Sequence, residues 1–461
     1  MILWTFYVTI LLTLFAGYMS KKLVKDSKDF LIGGGRLGTV GVTSMLMGAI
    51  IGGASTVGTS QMAFERGLGA IWFTLGLSIS SIVLYFFYGK LTEKKEFMTV
   101  TGVIGKFFGD RAKTAACTVL CLGMFIHING QVLASVSIFS SVLDFDIHIS
   151  ALIVCALIGG YVIFGGFWGG TIVGGIKTVL LYSTSIVCGM YLLFEYDFIP
   201  LAAMSFSPDP WFNPFSNGFL KDLSLPISTV LGVTCTQIYF QSVMSARDKH
   251  VLKRSCLLTA FMIPPIGLVC TMIGMYMRTV SPDIAARDAF VLFVTNNTHP
   301  VVAGLSIAAV LISSVATGAG LALGITTICS RDVISPMFPS RSDSQSIRSM
   351  RIMIAIIISA IYFIVVSNDN SMILSWGFLS MIFRATPVFV PVLVALYFPD
   401  SISRRHESIY VIIGPILSIA WILLGLDNIS SIYVGILGSL SYAFLRAKTK
   451  KSKSAQTNTC M

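Results

Sequence analysis

Long apolar runs recur along this chain at the length needed to cross a lipid bilayer. A helix needs about 20 apolar residues to span the hydrocarbon core, and thirteen windows of this kind follow one another between residues 3 and 445. Only 11% of the 461 residues are charged, whereas a soluble protein carries about a quarter. These features predict an all-α polytopic membrane protein and exclude a soluble one.

The predicted spans are numbered one to thirteen in chain order. They cover Leu3–Met19, Val40–Phe64, Ala70–Tyr88, Ala115–Leu143, Ile149–Phe164, Ile172–Phe194, Leu225–Met244, Cys256–Met277, Val301–Ile328, Ile352–Val366, Met372–Phe398, Ile409–Leu424 and Ile432–Leu445.

Basic residues are divided unevenly between the two sides of the membrane. Alternate loops hold 26 of the 32 Lys and Arg residues, and the opposite loops hold 4. The excess of positive charge on the cytoplasmic side of membrane proteins predicts an outer N-terminus and a cytoplasmic C-terminus, in the cell (inner) membrane. The same division accounts for the net charge of +11 without a nucleic-acid partner.

Glycines and hydroxyl side chains concentrate in the middle of span two. They weaken a helix at a depth where lipid requires every backbone group to be bonded. One interpretation is a discontinuous helix of the kind that forms midplane ion and solute sites in secondary transporters. The other is a close helix interface of small residues. The residues concerned are Gly48, Gly52, Gly53, Ser55, Thr56, Gly58, Thr59 and Ser60.

Span seven repeats this pattern, which favours the discontinuous helix, although packing of small residues remains the alternative. Its small and hydroxyl residues are Ser228, Thr229, Gly232, Thr234 and Thr236.

Polar residues also occur in three other spans. Span four carries His127, Asn129 and Gln131 in apolar surroundings, which predicts either a functional site or hydrogen bonds between helices worth about 1 kcal/mol each. Span six carries Lys177 and span eleven carries Arg384, while all 21 carboxylates fall in loops or at span ends. Either basic side chain could extend toward the membrane–water interface. This is harder for Arg384, which is about twelve residues from the nearer end of its span.

Six short motifs occur in the order found in the sodium/solute symporter family, which the chain resembles over nearly its whole length. They are Asp29-Phe30 with Gly34-Gly35-Arg36, Ile51 to Gly58 with Gly67-x4-Trp72, Lys106 to Gly109, Tyr161 to Phe167, Gln237-x3-Gln241 with Ser245-Ala246-Arg247, and Ser313-Ser314 with Asp332.

The resemblance implies a LeuT-type core of two five-helix repeats of inverted topology. The first repeat would occupy residues 38–194 and the second residues 222–398, with an outer loop at 195–221 between them. Peripheral helices would lie at 1–37 and 399–447, followed by a cytoplasmic tail at 448–461. The broken helices would be spans two and seven.

The resemblance also implies a sodium site. Its ligands would be the carbonyls of Gly48, Ile51 and Val310 and the hydroxyls of Ser313 and Ser314, which suit a hard cation. The two serines could instead bond back to their own helix.

Two positions depart from the family pattern for a second sodium ion. Gly174 stands where some members have an Asp, and of the two accompanying hydroxyl positions one is Ala316, while Thr317 keeps its hydroxyl. We therefore expect one transported sodium ion and no resident cofactor. Lys177 follows three residues after Gly174.

The solute site is predicted around the two breaks, and an anionic solute, such as a small carboxylate, would neutralise Arg384. A planar guanidinium binds a carboxylate with two hydrogen bonds. The residues predicted to contact the solute are Gly52, Gly53, Ser55, His127, Gln131, Thr234, Gln237 and Arg384.

Taken together, these features predict a sodium-coupled importer of a small organic solute, a monomer or weak homo-oligomer in the bilayer. A proton-coupled transporter with the Lys177 ammonium in the cation site is one alternative, and a non-transporting solute sensor is another. An enzyme is not expected, because no span holds a nucleophile–base pair or a metal-binding constellation.

Overall fold

The computed structural model describes residues 1–23, 27–94, 96–143, 145–338, 342–368, 372–402, 407–426 and 429–459. Within these ranges the chain is helical, and its only extended pairing is an isolated bridge between Leu37 and Ala246. The predicted all-α fold is therefore confirmed.

The helices, numbered α1 to α21, are Ile2–Met19, Ser27–Ile32, Thr39–Ile50, Val57–Arg66, Ile71–Tyr88, Leu91–Lys94, Val100–Phe108, Asp110–Leu143, Ile147–Met190, Phe198–Ser205, Phe219–Thr234, Gln237–Met244, Lys249–Val280, Ala289–Asn297, Pro300–Ile328, Ser335–Met337, Asp343–Val366, Ile373–Ala385, Phe389–Tyr397, Ile409–Leu423 and Ser431–Thr459.

Eight stretches among the described residues are long and apolar enough to cross a membrane, and the bent pair α11–α12 adds a ninth. Shorter apolar helices lie at Thr39–Ile50, Ile147–Ile163, Ile409–Leu423 and Ser431–Ala447. A membrane protein with many spans is thus confirmed, whereas the count of thirteen and the division into two inverted repeats stay predictions.

Span two is broken between α3 and α4. The amide of Gly52 donates to Ser55 Oγ at 2.8 Å, and the amide of Gly53 donates to Gln131 Oε1 at 2.9 Å. In a continuous helix these two amides would donate to the carbonyls of Gly48 and Ala49, four residues earlier. The break therefore leaves both carbonyls available to other donors.

Span seven is broken between α11 and α12, whose axes differ by 56°. Cys235 and Thr236 separate the two helices. Tyr88 Oη donates to the carbonyl of Thr234 at 2.8 Å, so a side chain from α5 satisfies a carbonyl at the end of α11. Both predicted breaks are present, and both lie among buried residues.

Close packing of α3 on α9 positions the first break. A Cβ atom added to Gly174 would lie 2.3 Å from the carbonyl oxygen of Ser44, and one added to Gly48 would lie 2.9 Å from the Cα of Gly174. Only glycine fits at these positions. Residues three apart on a helix share a face, so Lys177 follows Gly174 on the face of α9 that meets the break.

Candidate functional site

Lys177 inserts its side chain into the break between α3 and α4. Its Nζ donates to the carbonyl of Gly48 at 2.6 Å and to the carbonyl of Ile51. The carbonyl of Ser313 lies at 3.4 Å and the hydroxyl of Thr317 at 3.5 Å, both from α15. The lysine is 0% exposed. We call the four residues whose oxygen atoms surround the lysine the cation cage, namely Gly48, Ile51, Ser313 and Thr317.

Hydroxyl groups of α15 close the cage from the opposite side. Ser313 Oγ donates to the carbonyl of Ile51 at 2.8 Å, and Thr317 Oγ1 donates to the same carbonyl at 3.1 Å. Thr317 Oγ1 also lies 3.3 Å from the carbonyl of Gly48. These bonds hold α15 against the end of α3.

The structure brings together three of the five residues predicted to bind sodium, namely Gly48, Ile51 and Ser313, and adds Lys177 to them. The other two bond to each other, because Ser314 Oγ donates to the carbonyl of Val310 within α15 at 3.1 Å. Ser314 Oγ also lies against Gly53, 2.3 Å from where a Cβ on that glycine would be.

Several predicted solute contacts are arranged around the same break. Gln131 Oε1 accepts a hydrogen bond from the amide of Gly53, and Gln131 Nε2 lies 3.1 Å from His127 Nε2. Ser55 Oγ lies 2.9 Å from the carbonyl of Gly52 and thus shapes the turn from within. Nδ1 of His127 is buried, with no hydrogen-bond partner among the described residues.

Arg384 occupies the second break in a comparable way. Its Nη1 donates to Thr236 Oγ1 at 2.8 Å, its Nε donates to the carbonyl of Ser380 at 3.3 Å, and its Nη2 lies 2.7 Å from Met381 Sδ. The side chain is 0% exposed. Among the described residues, no carboxylate forms an ion pair with it.

Tyr239 connects the two breaks. Its hydroxyl donates to the carbonyl of Ala49 at 3.2 Å and also interacts with the Arg384 guanidinium. Sequence reasoning missed Tyr239, and it placed Thr236 in the break of span seven without predicting its contact with Arg384. A hydroxyl side chain within four residues of a predicted break was the available signal.

Two predicted solute contacts have their hydrogen-bonding groups directed elsewhere. Thr234 Oγ1 donates to the carbonyl of Val230 on its own helix at 2.7 Å. The amide group of Gln237 accepts from the backbone of Val100 and donates to the carbonyl of Met98, both at 2.9 Å. Gln237 therefore ties α12 to the start of α7.

A family model described as the sodium:solute symporter family matches residues 30–404. The chain belongs to this family. The match includes both breaks, the cation cage and Arg384, and it confirms the resemblance drawn from the six sequence motifs.

Two relatives of this symporter family match along nearly the whole chain. The high-affinity proline transporter PutP of Bacillus subtilis (strain 168) is 22% identical over 465 residues, covering 96% of this chain and 98% of that protein. The osmoregulated proline transporter OpuE of the same organism is 21% identical over 450 residues, covering 92% of this chain and 89% of that protein.

Solved structures share the fold. A Na+-coupled sialic acid symporter, in a substrate-bound outward-open state, aligns with a TM-score of 0.80 over 97% of this chain and 96% of its own, at 15% identity. The nucleobase-cation-symport-1 family transporter Mhp1 aligns with a TM-score of 0.58 over 89% and 92%, at 13% identity. The chain is therefore a multi-pass membrane protein of a symporter family and not an enzyme.

Proposed function

We propose that this symporter imports a small amino or imino acid by alternating access, and that Arg384 binds the carboxylate of the solute. The two breaks provide unwound backbone at the centre of a helical bundle, which is where secondary transporters bind ions and solutes. A backbone break at this depth is tolerated when it lines a site.

The burial of Arg384 carries the proposal for the solute. A charged side chain inside the membrane is costly unless another group compensates it, and arginine stays protonated in proteins. Among the described residues, the groups that interact with Arg384 include a hydroxyl, a carbonyl, a thioether, the Tyr239 side chain and the Cys235 thiol, and none of these is a carboxylate. A solute carboxylate would supply the missing negative charge through charge-assisted hydrogen bonds.

The relatives support the same class of solute. Both curated relatives named above are proline transporters, and proline carries a carboxylate beside a secondary ammonium. Arg384 suits the carboxylate of such a solute, because a guanidinium only donates hydrogen bonds and a carboxylate accepts them.

Two candidates remain for coupling. Membership of the sodium:solute symporter family supports sodium as the driving ion. The position of Lys177 on the carbonyls of Gly48 and Ile51 favours a second candidate, in which the lysine replaces sodium at this cage and a proton drives uptake.

Competition experiments test the proposed solute class. We expect proteoliposomes containing the protein to take up labelled L-proline, and unlabelled L-proline to compete far better than prolinamide, which retains the ring and amine but lacks the carboxylate. The same comparison between acids and amides extends to other small amino acids. Equal competition by acids and amides would show that the carboxylate is not recognised. Solute binding without uptake would instead indicate a sensor.

Reporter fusions test the proposed orientation, with the N-terminus outside and the C-terminus in the cytoplasm. The reason is the division of Lys and Arg, 26 on one side against 4 on the other. Alkaline phosphatase fused after residue 461 is expected to be inactive, and a fluorescent protein fused there to be fluorescent. A matched pair of fusions in the 195–221 loop should give the opposite pattern; phosphatase activity at the C-terminus would reverse the orientation.

A further inference from the structure

A basic side chain of the protein itself lies in the cation cage. We propose that the Lys177 ammonium is the resident cation of this cage, in the place where the family resemblance puts sodium, so that sodium does not bind there. Only the consequence for ion coupling rests on the proposed transport function, because occupation of the cage can be measured on the protein without transport.

The number of donors on Lys177 fits the acceptors of the cage. An ammonium has three N–H donors and no acceptor. Two of them reach the carbonyls of Gly48 and Ile51, which the break leaves without their helical partners. The acceptors for the third N–H are the carbonyl of Ser313 at 3.4 Å and the hydroxyl of Thr317 at 3.5 Å. These are the kinds of oxygen atoms that a hard metal cation would use.

Space and charge both disfavour a second cation in the cage. Nζ lies 2.6 Å from the carbonyl of Gly48, so a sodium ion contacting the same oxygen atoms would overlap the ammonium. The helices around it offer no compensating acid: α3 and α15 carry no titratable side chain, and α9 carries only histidine, cysteine, tyrosine and Lys177 itself. A metal ion would therefore meet uncompensated repulsion in a low-dielectric interior.

The close approach of α9 to α3 allows Lys177 to enter the break. Gly174 lets α9 approach α3 until the two backbones touch, as the 2.3 Å between its added Cβ and the carbonyl of Ser44 shows. Lys177 lies one turn after Gly174 on the same face of α9, and this close approach lets its Nζ reach the carbonyls of Gly48 and Ile51.

Sodium itself is the probe for the experiment. The purified protein is unfolded thermally in NaCl, KCl and choline chloride at equal ionic strength, with no solute added. A ligand that binds only the folded state raises the unfolding temperature by mass action. We expect the wild type to unfold at the same temperature in all three salts. We expect Lys177→Ala, which vacates the cage and frees its carbonyls, to gain a saturable stabilisation by sodium alone.

Three further variants decide ambiguous results. Lys177→Met keeps the volume of the side chain without its charge and is expected to gain no sodium response. Saturable stabilisation of the wild type by sodium that Ser313→Ala abolishes would overturn the inference, whether or not Ser314→Ala abolishes it too. The same stabilisation left intact by Ser313→Ala would place sodium outside the cage and support it. If Lys177→Ala fails to fold, the wild type and the two serine variants still give the answer.

The result is independent of the proposed solute. Failure to take up any amino or imino acid would contradict the proposed function and leave the sodium titration valid. A sodium-insensitive wild type that transports proline would support both.

Discussion

Replacement of Arg384 by glutamine is expected to raise the half-saturation constant for proline uptake at least tenfold. A guanidinium–carboxylate pair in a buried site gains two charge-assisted hydrogen bonds, and loss of one partner costs roughly 2–5 kcal/mol. Glutamine retains an N–H donor but provides no positive charge. The measurement is initial uptake rate against proline concentration in proteoliposomes.

Arg384→Lys is the matched variant for this experiment. It keeps the charge but loses the planar fork, so its half-saturation constant is expected to lie between those of the wild type and the glutamine variant. Thermal unfolding without solute separates binding from folding. An unchanged half-saturation constant in Arg384→Gln would mean that carbonyl and hydroxyl groups alone stabilise this arginine.

Replacement of Gly174 by alanine is expected to destabilise the protein by about 2–3 kcal/mol, the upper part of the range for overpacked interiors. The added Cβ would lie 2.3 Å from the carbonyl oxygen of Ser44 and 3.1 Å from the Cα of Gly48, both of which are backbone atoms. The helices α3 and α9 would have to separate, and Lys177 would withdraw from the cage. The measurements are unfolding temperature and uptake, and both are expected to fall.

Gly160→Ala is the control for Gly174→Ala on the same helix. Nothing lies within 4 Å of the Cβ position at Gly160, so alanine should be neutral or slightly stabilising there, in line with its higher helix propensity. Equal behaviour of the two variants would show that the contact between α3 and α9 is not tight in the membrane.

The all-helical, membrane-spanning character of the chain and the two breaks could be predicted because they depend on local sequence. Apolar windows of the right length specify spanning helices. The run from Gly48 to Ser60 specifies the first break, because glycine and hydroxyl side chains weaken a helix and offer their own bonds to its backbone. Ser55 does this directly, since its Oγ accepts from the amide of Gly52.

The site was predicted only in part because it depends on how the helices are rotated against one another. Ser313 and Ser314 are neighbours, so their side chains point about 100° apart on α15. Ser313 faces α3 and shares that face with Thr317, four residues later. The spacing of these two hydroxyls was visible in the sequence, but which of the two serines would face the break was not.

Long-range contacts account for the remaining residues of the site. Tyr239 reaches Ala49, 190 positions earlier in the chain, and Arg384 reaches Thr236 across 148 positions. Periodicity along one helix contains no information on such pairs. The sequence could indicate only that Arg384 required partners, and the helix packing decided which ones it found.

The attachment of Lys177 to its own helix has a consequence for the energetics of uptake. A sodium ion that binds on one side of the membrane and leaves on the other contributes the free energy of its gradient to each cycle. An ammonium at the end of a side chain crosses with the protein and returns with it, so at this cage the net displacement of the cation over a full cycle is zero. The steady-state ratio of internal to external solute is then set by an ion that binds elsewhere, or by a proton, and that ratio can be measured directly.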